Sequence, residues 1–258
     1  LEGKLRGLID NISEDTKKAR ATWREMSTID EAFDKAQNFY SSGVARFKSF
    51  AQSNNVWISI GSIAISYNSE KYFNRSILLN NEGEITHRYD KIHLFDIDLG
   101  DDENKFLESE TVNPGNQSSI AKTPFGIFGF SVCYDLRFAQ LYRSMAKQGS
   151  EVLMVPSAFT KKTGEAHWHV LNRARAIENG AFVISACATG SIDGGGECYG
   201  HSLVIDPWGN VLADGGVGSR VVSAKINLAD VKDTREKIPS LNHDRDFKLK
   251  IIDATKEI

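Results

Sequence analysis

The sequence predicts an α/β fold, a mixed sheet with helices outside it in one domain. Three observations predict it. Between residues 126 and 206, short β-branched apolar runs alternate with segments of helical periodicity. Two of the helical segments stop at glycines, Gly149 and Gly180. Nearer the front, Asn80-Asn-Glu-Gly83 separates two β-rich runs, which is a hairpin signal.

The elements follow in chain order. Residues 31–53 read as a helix, with Ala32, Phe33, Ala36, Phe39, Tyr40, Phe47 and Phe50 near a 3.6 period. Residues 56–65 and 75–79 are β-rich, and 84–89 completes the hairpin. Residues 126–132 form a strand that ends at Cys133. A helix over 136–148, a short buried strand over 151–156 and a helix over 168–179 follow. Strands are expected at 182–188, 201–206 and 211–214, with the last at 221–226. The charged stretch 228–258 reads as helical or extended, an arm that would lie on a neighbouring subunit.

Composition narrows the function. Lys and Arg total 31 against 34 Asp and Glu, a net charge of −3, which disfavours a general nucleic-acid binder. Hydrophobic residues at 41% give ordinary globular composition, and no apolar run is long enough to span a membrane. The 3 cysteines, Cys133, Cys187 and Cys198, form no C-x-x-C pair and are too few for a disulfide scaffold, so a reduced cytoplasmic setting is expected.

Cys133 carries the most chemistry. It stands where an apolar strand gives way to a helix, a junction that exposes a side chain and presents backbone N–H groups. A helix N-terminus would also lower its thiol pKa. The competing reading is a buried structural cysteine. Lys91 follows a strand among apolar residues. Beside a nucleophile it would stabilise an oxyanion; alone it would be a surface lysine with a covered stem. His93, Asp96 and Asp98 invite a metal reading but lack a matching ligand cluster elsewhere. His167 and His169, two apart on a helix, do not share a face, so no zinc pair is expected there. Arg173 and Arg175 would bind a carboxylate or brace their helix.

Several segments in order carry a resemblance. They are Tyr89-Asp-Lys-Ile-His-Leu-Phe-Asp96, Glu108-Ser-Glu-Thr-Val-Asn-Pro-Gly115, Val132-Cys-Tyr-Asp-Leu-Arg-Phe138, Pro156-Ser-Ala-Phe159, His167-Trp-His-Val-Leu-Asn-Arg-Ala-Arg-Ala-Ile-Glu178, and Tyr199-Gly-His-Ser202 running into Asp206-Pro-Trp-Gly209. Together they resemble the nitrilase superfamily of carbon–nitrogen hydrolases. Within it they resemble the small-acid amidase branch of omega-amidases and deaminated-glutathione amidases.

The resemblance implies a four-layer α-β-β-α sandwich that pairs into a homodimer. It implies amide hydrolysis through a thioester, with Cys133 as nucleophile, Lys91 as oxyanion stabiliser together with the Tyr134 N–H, and Glu110 as the supporting glutamate. Glu25 fits the general base by its separation from Lys91. Arg137, Arg173, Tyr199 and His201 are the implied substrate contacts. No metal or organic cofactor is implied, and the partner is a small carboxylate-bearing amide. An N-carbamoyl amino acid or ureido hydrolase, and a non-enzymatic scaffold, are the alternatives. The sequence departs from the family before Glu25. Charged Lys17-Lys-Ala-Arg-Ala-Thr-Trp-Arg24 stands where an apolar strand is expected, and the region is short by about twenty residues. The first ~30 residues therefore read as atypical or incomplete.

Overall fold

A computed structural model describes residues 43–66, 71–98, 105–191, 196–253 and 255. The front half of the predicted 31–53 helix, and Glu25, lie outside the described residues. The part within them is helix α1, residues 43–54.

The hairpin signal builds the first sheet. Strands β1 (Ile58–Ser66), β2 (Tyr72–Leu79) and β3 (Ile85–Asp90) pair antiparallel in chain order. At the turn, the Asn80 side-chain oxygen accepts from the N–H groups of Glu82 and Glu84, as a turn asparagine does. Strand β2 shows why this sheet is an inner layer. Ser76, Ile77, Leu78 and Leu79 are all buried. Ile77 and Leu79 pack with Val44 and Phe47 of α1, whereas Leu78, which points the other way, packs with Phe130 and Val132.

The second sheet has six strands, in the order β13 (Val211–Asp214), β12 (Leu203–Ile205), β9 (Phe182–Ser185), β8 (Val152–Met154), β7 (Gly126–Phe130) and β6 (Ile120–Thr123). Its centre, β7–β8–β9, is parallel and its flanks are antiparallel. Helix α2 (Ala139–Lys147) and helix α3 (Lys161–Asn179) cover its outer face through Leu141, Tyr142, Met145, Trp168 and Ala176. Helix, sheet, sheet, helix is the four-layer sandwich. Fully burying side chains of this size stabilises by about 1.5–3 kcal/mol each, so the two cores dominate the fold.

Some element boundaries differ from expectation. Helix α3 begins seven residues before 168, because Thr160 is extended and opens it. It ends where expected, on left-handed Gly180. The predicted 221–226 strand joins no ladder; Ile226 and Leu228 instead pack on Val152, Phe182 and Val231. Five short strands were not anticipated: β6, β4 (Asp96–Asp98) with β5 (Lys105–Leu107), and β10 (Thr189–Ser191) with β11 (Glu197–Tyr199). Beyond helix α4 (Ala229–Lys237) and a 3-10 turn at Ser240–Asn242, the chain runs without a ladder to the last described residues. No helix among the described residues is long and apolar enough to cross a membrane.

Candidate active site

The site forms where the two sheets meet, from chain segments leaving β3 and β7. Lys91 directly follows β3. Its backbone is pinned on both sides: its N–H donates to Asn74 O at 2.9 Å, and its carbonyl accepts from Gly115 N–H at 2.7 Å. Gly115 has to be glycine here, since a Cβ would stand 2.2 Å from Asp90 O. The Lys91 side chain is 2% exposed and its ammonium is paired with the Glu108 carboxylate. A buried ammonium requires such a partner.

The carboxylate that the structure pairs with Lys91 is therefore Glu108 and not Glu110. The 3-10 turn Glu108–Glu110 explains the exchange. It directs Glu108 inward and leaves Glu110 exposed. Glu108 Oε2 takes Lys91 and also the Phe95 N–H at 2.6 Å; Oε1 accepts from Asn74 Nδ2 at 3.2 Å. Three donors fix this carboxylate in place and leave it little room to accept a substrate proton.

Cys133 is held by a second carboxylate, Asp135, which takes four donors. Strand β7 ends, and a 3-10 turn, Cys133–Arg137, begins with Cys133 at φ +51°. That left-handed conformation costs a non-glycine residue about 1–2 kcal/mol. Asp135 supports it from beneath. Fully buried, Asp135 accepts from the Tyr89 hydroxyl at 2.7 Å, the Val132 N–H at 2.9 Å, the His93 N–H at 3.0 Å and His93 Nδ1 at 2.7 Å. Cys133 N–H donates to Pro156 O at 2.9 Å, tying the turn to the chain leaving β8. The ring of His93 stacks on Phe138, with centroids 3.5 Å apart.

Burial pushes the Cys133 thiol above its ordinary pKa. The Lys91 ammonium and the Ala158 N–H that faces the sulfur pull it down, without cancelling the burial. Glu108 and Asp135 add to the rise. This reverses the expectation of a thiol acidified by a helix N-terminus, because a five-residue 3-10 turn supplies less dipole than burial removes in solvation. The sulfur thus needs a proton acceptor, and the two carboxylates whose fields reach it are already committed to other donors.

Lys91, Glu108 and Cys133 share one cavity of about 460 Å³, walled by Tyr72, Asn74, Phe95, Phe106, Thr111 and Ala158. Tyr134, next to the sulfur, packs edge-on against Phe95 and Phe138. A second cavity, of about 390 Å³, holds Cys187 with Val44, Phe47 and Pro156, and no charged group lines it among the described residues. Burial pushes the Cys187 thiol up to about 12.

The four implied substrate contacts do not line the Lys91 cavity. Arg173 is exposed and its Nε donates to Gly209 O at 2.8 Å, bracing the Asp206–Gly209 turn. Arg175 is buried against Leu136 O and Glu178. Tyr199 and His201 stack on one another beside His169 and Asp214. Arg137 comes nearest the site: its guanidinium lies over the rings of Tyr134 and Phe159, with nitrogens 3.3 Å from His167 Nδ1. His93, Asp96 and Asp98 do not converge; His93 serves Asp135, and Asp96 accepts from Ser109 N–H. The residues missed by sequence reading are Glu108, Asn74 and Asp135. Asp135 was visible inside the Cys133 segment as the acid two residues after the thiol.

A family model described as carbon–nitrogen hydrolase matches residues 22–236. The chain belongs to the carbon–nitrogen hydrolase family. This hydrolase is 41% identical to the deaminated glutathione amidase of Yersinia enterocolitica over 74% of its own length and 67% of that protein's. It is 39% identical to the deaminated glutathione amidase of Dictyostelium discoideum, covering 83% of this chain and 75% of the other. Among solved structures, the NitFhit protein of C. elegans superposes with a TM-score of 0.79 at 34% identity, over 85% of this hydrolase and 54% of that chain. The Nit3 structure from Saccharomyces cerevisiae, a member of branch 10 of the nitrilase superfamily, gives 0.69 at 31% identity, over 77% of this hydrolase and 69% of that chain.

Proposed function

We propose that this hydrolase cleaves a small carboxylate-bearing amide to an acid and ammonia through a thioester on Cys133. The observation that carries the reading is the placement of Cys133, Lys91 and Glu108 around one cavity. Cys133 attacks the amide carbon, and Lys91 with the Tyr134 N–H receives the charge on the carbonyl oxygen. Glu108 keeps Lys91 aimed. Because Glu108 already takes three donors and Asp135 four, the proton from the thiol goes to another base, and Glu25 is the residue proposed for it. Glu25 then protonates the departing ammonia and activates the water that releases the acid. Arg137, half-buried on the same turn as the nucleophile, is the proposed contact for the substrate carboxylate.

The substrate follows the names of the relatives: deaminated glutathione first, with 2-oxoglutaramate as the rival. Ammonia release from the two amides, compared side by side, tests the reading. Release from neither, or an undiminished rate in Cys133→Ala, would defeat it. Carbon dioxide released together with ammonia would point to an N-carbamoyl substrate instead.

The hydrolase is also proposed to be a one-domain cytoplasmic homodimer. In the 228–258 segment Phe247, Leu249 and Ile251 are each more than 80% exposed and alternate as a strand does, which suits an arm on a second copy. Mass in solution, with and without residues 244–258, tests the dimer.

A further inference from the structure

Away from the Cys133 cavity, three side chains from three separate elements converge. His169 lies in α3, His201 just before β12, and Asp214 at the end of β13. Asp214 Oδ1 is 2.9 Å from His201 Nδ1, and Oδ2 is 3.1 Å from His169 Nε2. The candidate ligand atoms all lie within 4.8 Å of one another. We propose that His169, His201 and Asp214 form a binding site for a first-row divalent cation of the zinc class, which clamps helix α3 to the outer edge of the six-stranded sheet.

Two imidazoles and one carboxylate are the donor set that zinc takes, and water completes the shell on a half-exposed site. The backbone is prepared for it. His201 is left-handed at φ +56°, and it is held there from both sides. Its carbonyl accepts from the Trp168 indole at 2.8 Å, and its N–H donates to Gly216 O at 2.8 Å. Gly216 N–H in turn donates to Asp214 Oδ1 at 2.8 Å, orienting the carboxylate. Metal-bound histidines need an acceptor for the ring nitrogen that is not bound. The Tyr199 hydroxyl stands 3.5 Å from His169 Nδ1, on the side away from Asp214, and fills that role. Without a cation, each imidazole directs an N–H at Asp214. With one, each ring moves that proton to its other nitrogen and presents a lone pair inward, so neutral rings release no proton.

The test is calorimetric titration of zinc chloride into the full chain in a Cys133→Ala background, which removes a competing thiol. One zinc per chain is expected, with affinity about 100-fold weaker after His169→Ala or Asp214→Asn. His169 is on a helix, where alanine is the best helix former, so His169→Ala is expected to keep the fold, and circular dichroism identical to the parent makes the comparison valid. Cobalt in place of zinc should give the visible bands of a four- or five-coordinate site, absent from the His169→Ala protein. No zinc heat, or heat unchanged by both substitutions, overturns the proposal and leaves a hydrogen-bonded network only.

Discussion

Two clusters of polar side chains hold chain junctions in this molecule, and they do so differently. Around Cys133, the carboxylates Glu108 and Asp135 are enclosed and take three and four donors. Around His201, the carboxylate Asp214 is a third exposed and bridges two rings. The first cluster is rigid because leaving any donor or acceptor unpaired in a dry site costs about 1–3 kcal/mol. The second is adaptable because water can replace any partner lost. Rigid support suits a nucleophile in a strained backbone; an open, adaptable bridge suits an exchangeable ion.

The comparison breaks most sharply at the nucleophile. Cys133→Ala is expected to abolish ammonia release while circular dichroism and the melting midpoint stay near those of the parent; surviving turnover would remove the first cluster from the chemistry. Next is the paired test at the 3-10 turn. Glu108→Gln should lower turnover about 100-fold by letting Lys91 lose its aim, whereas Glu110→Gln should stay within about twofold, as exposed charges do. Equal losses would dissolve the distinction between the two glutamates.

A third expectation concerns pH. Since burial raises the Cys133 thiol, its alkylation by iodoacetamide should keep climbing with pH beyond the range where an ordinary cysteine levels off. Removing the charge with Lys91→Met takes away a field that lowers the pKa, so alkylation at a fixed neutral pH should slow. A faster reaction would reverse the assigned sign. The smallest effect belongs to the open cluster. In the presence of a chelator, Asp214→Asn should cost about 1 kcal/mol in urea unfolding, and Asp135→Asn about 3 kcal/mol or more. Equal costs would mean that burial does not separate them.

Much of this was legible in the sequence, for identifiable reasons. Strand-like runs beside Asn80-Asn-Glu-Gly83 and the stop at Gly180 depend on neighbours in the chain, so the hairpin and the end of α3 were readable. Cys133 was readable because it ends an apolar run, whereas Lys91, which follows Thr86-His-Arg-Tyr-Asp90, was readable only through the family resemblance of its segment. The choice between Glu108 and Glu110 was not. It depends on a single 3-10 turn that reverses which of two like residues faces inward. Nor was the meeting of His169, His201 and Asp214, whose positions come together only when β13 pairs with β12 and β12 packs beside α3. Residues 221–226 read as a strand because Val and Ile favour one; instead 223–225 are exposed and Ile226 packs on the Val152, Phe182 and Val231 cluster.

The left-handed backbone at Cys133 has one further consequence. Glycine occupies that region freely, while a residue with a side chain pays to be there. The fold is therefore carrying its proposed nucleophile against that residue's own conformational preference. A chain freed from any duty to react would relax this position first, so a cysteine kept there marks the point where durability has been given up for reactivity.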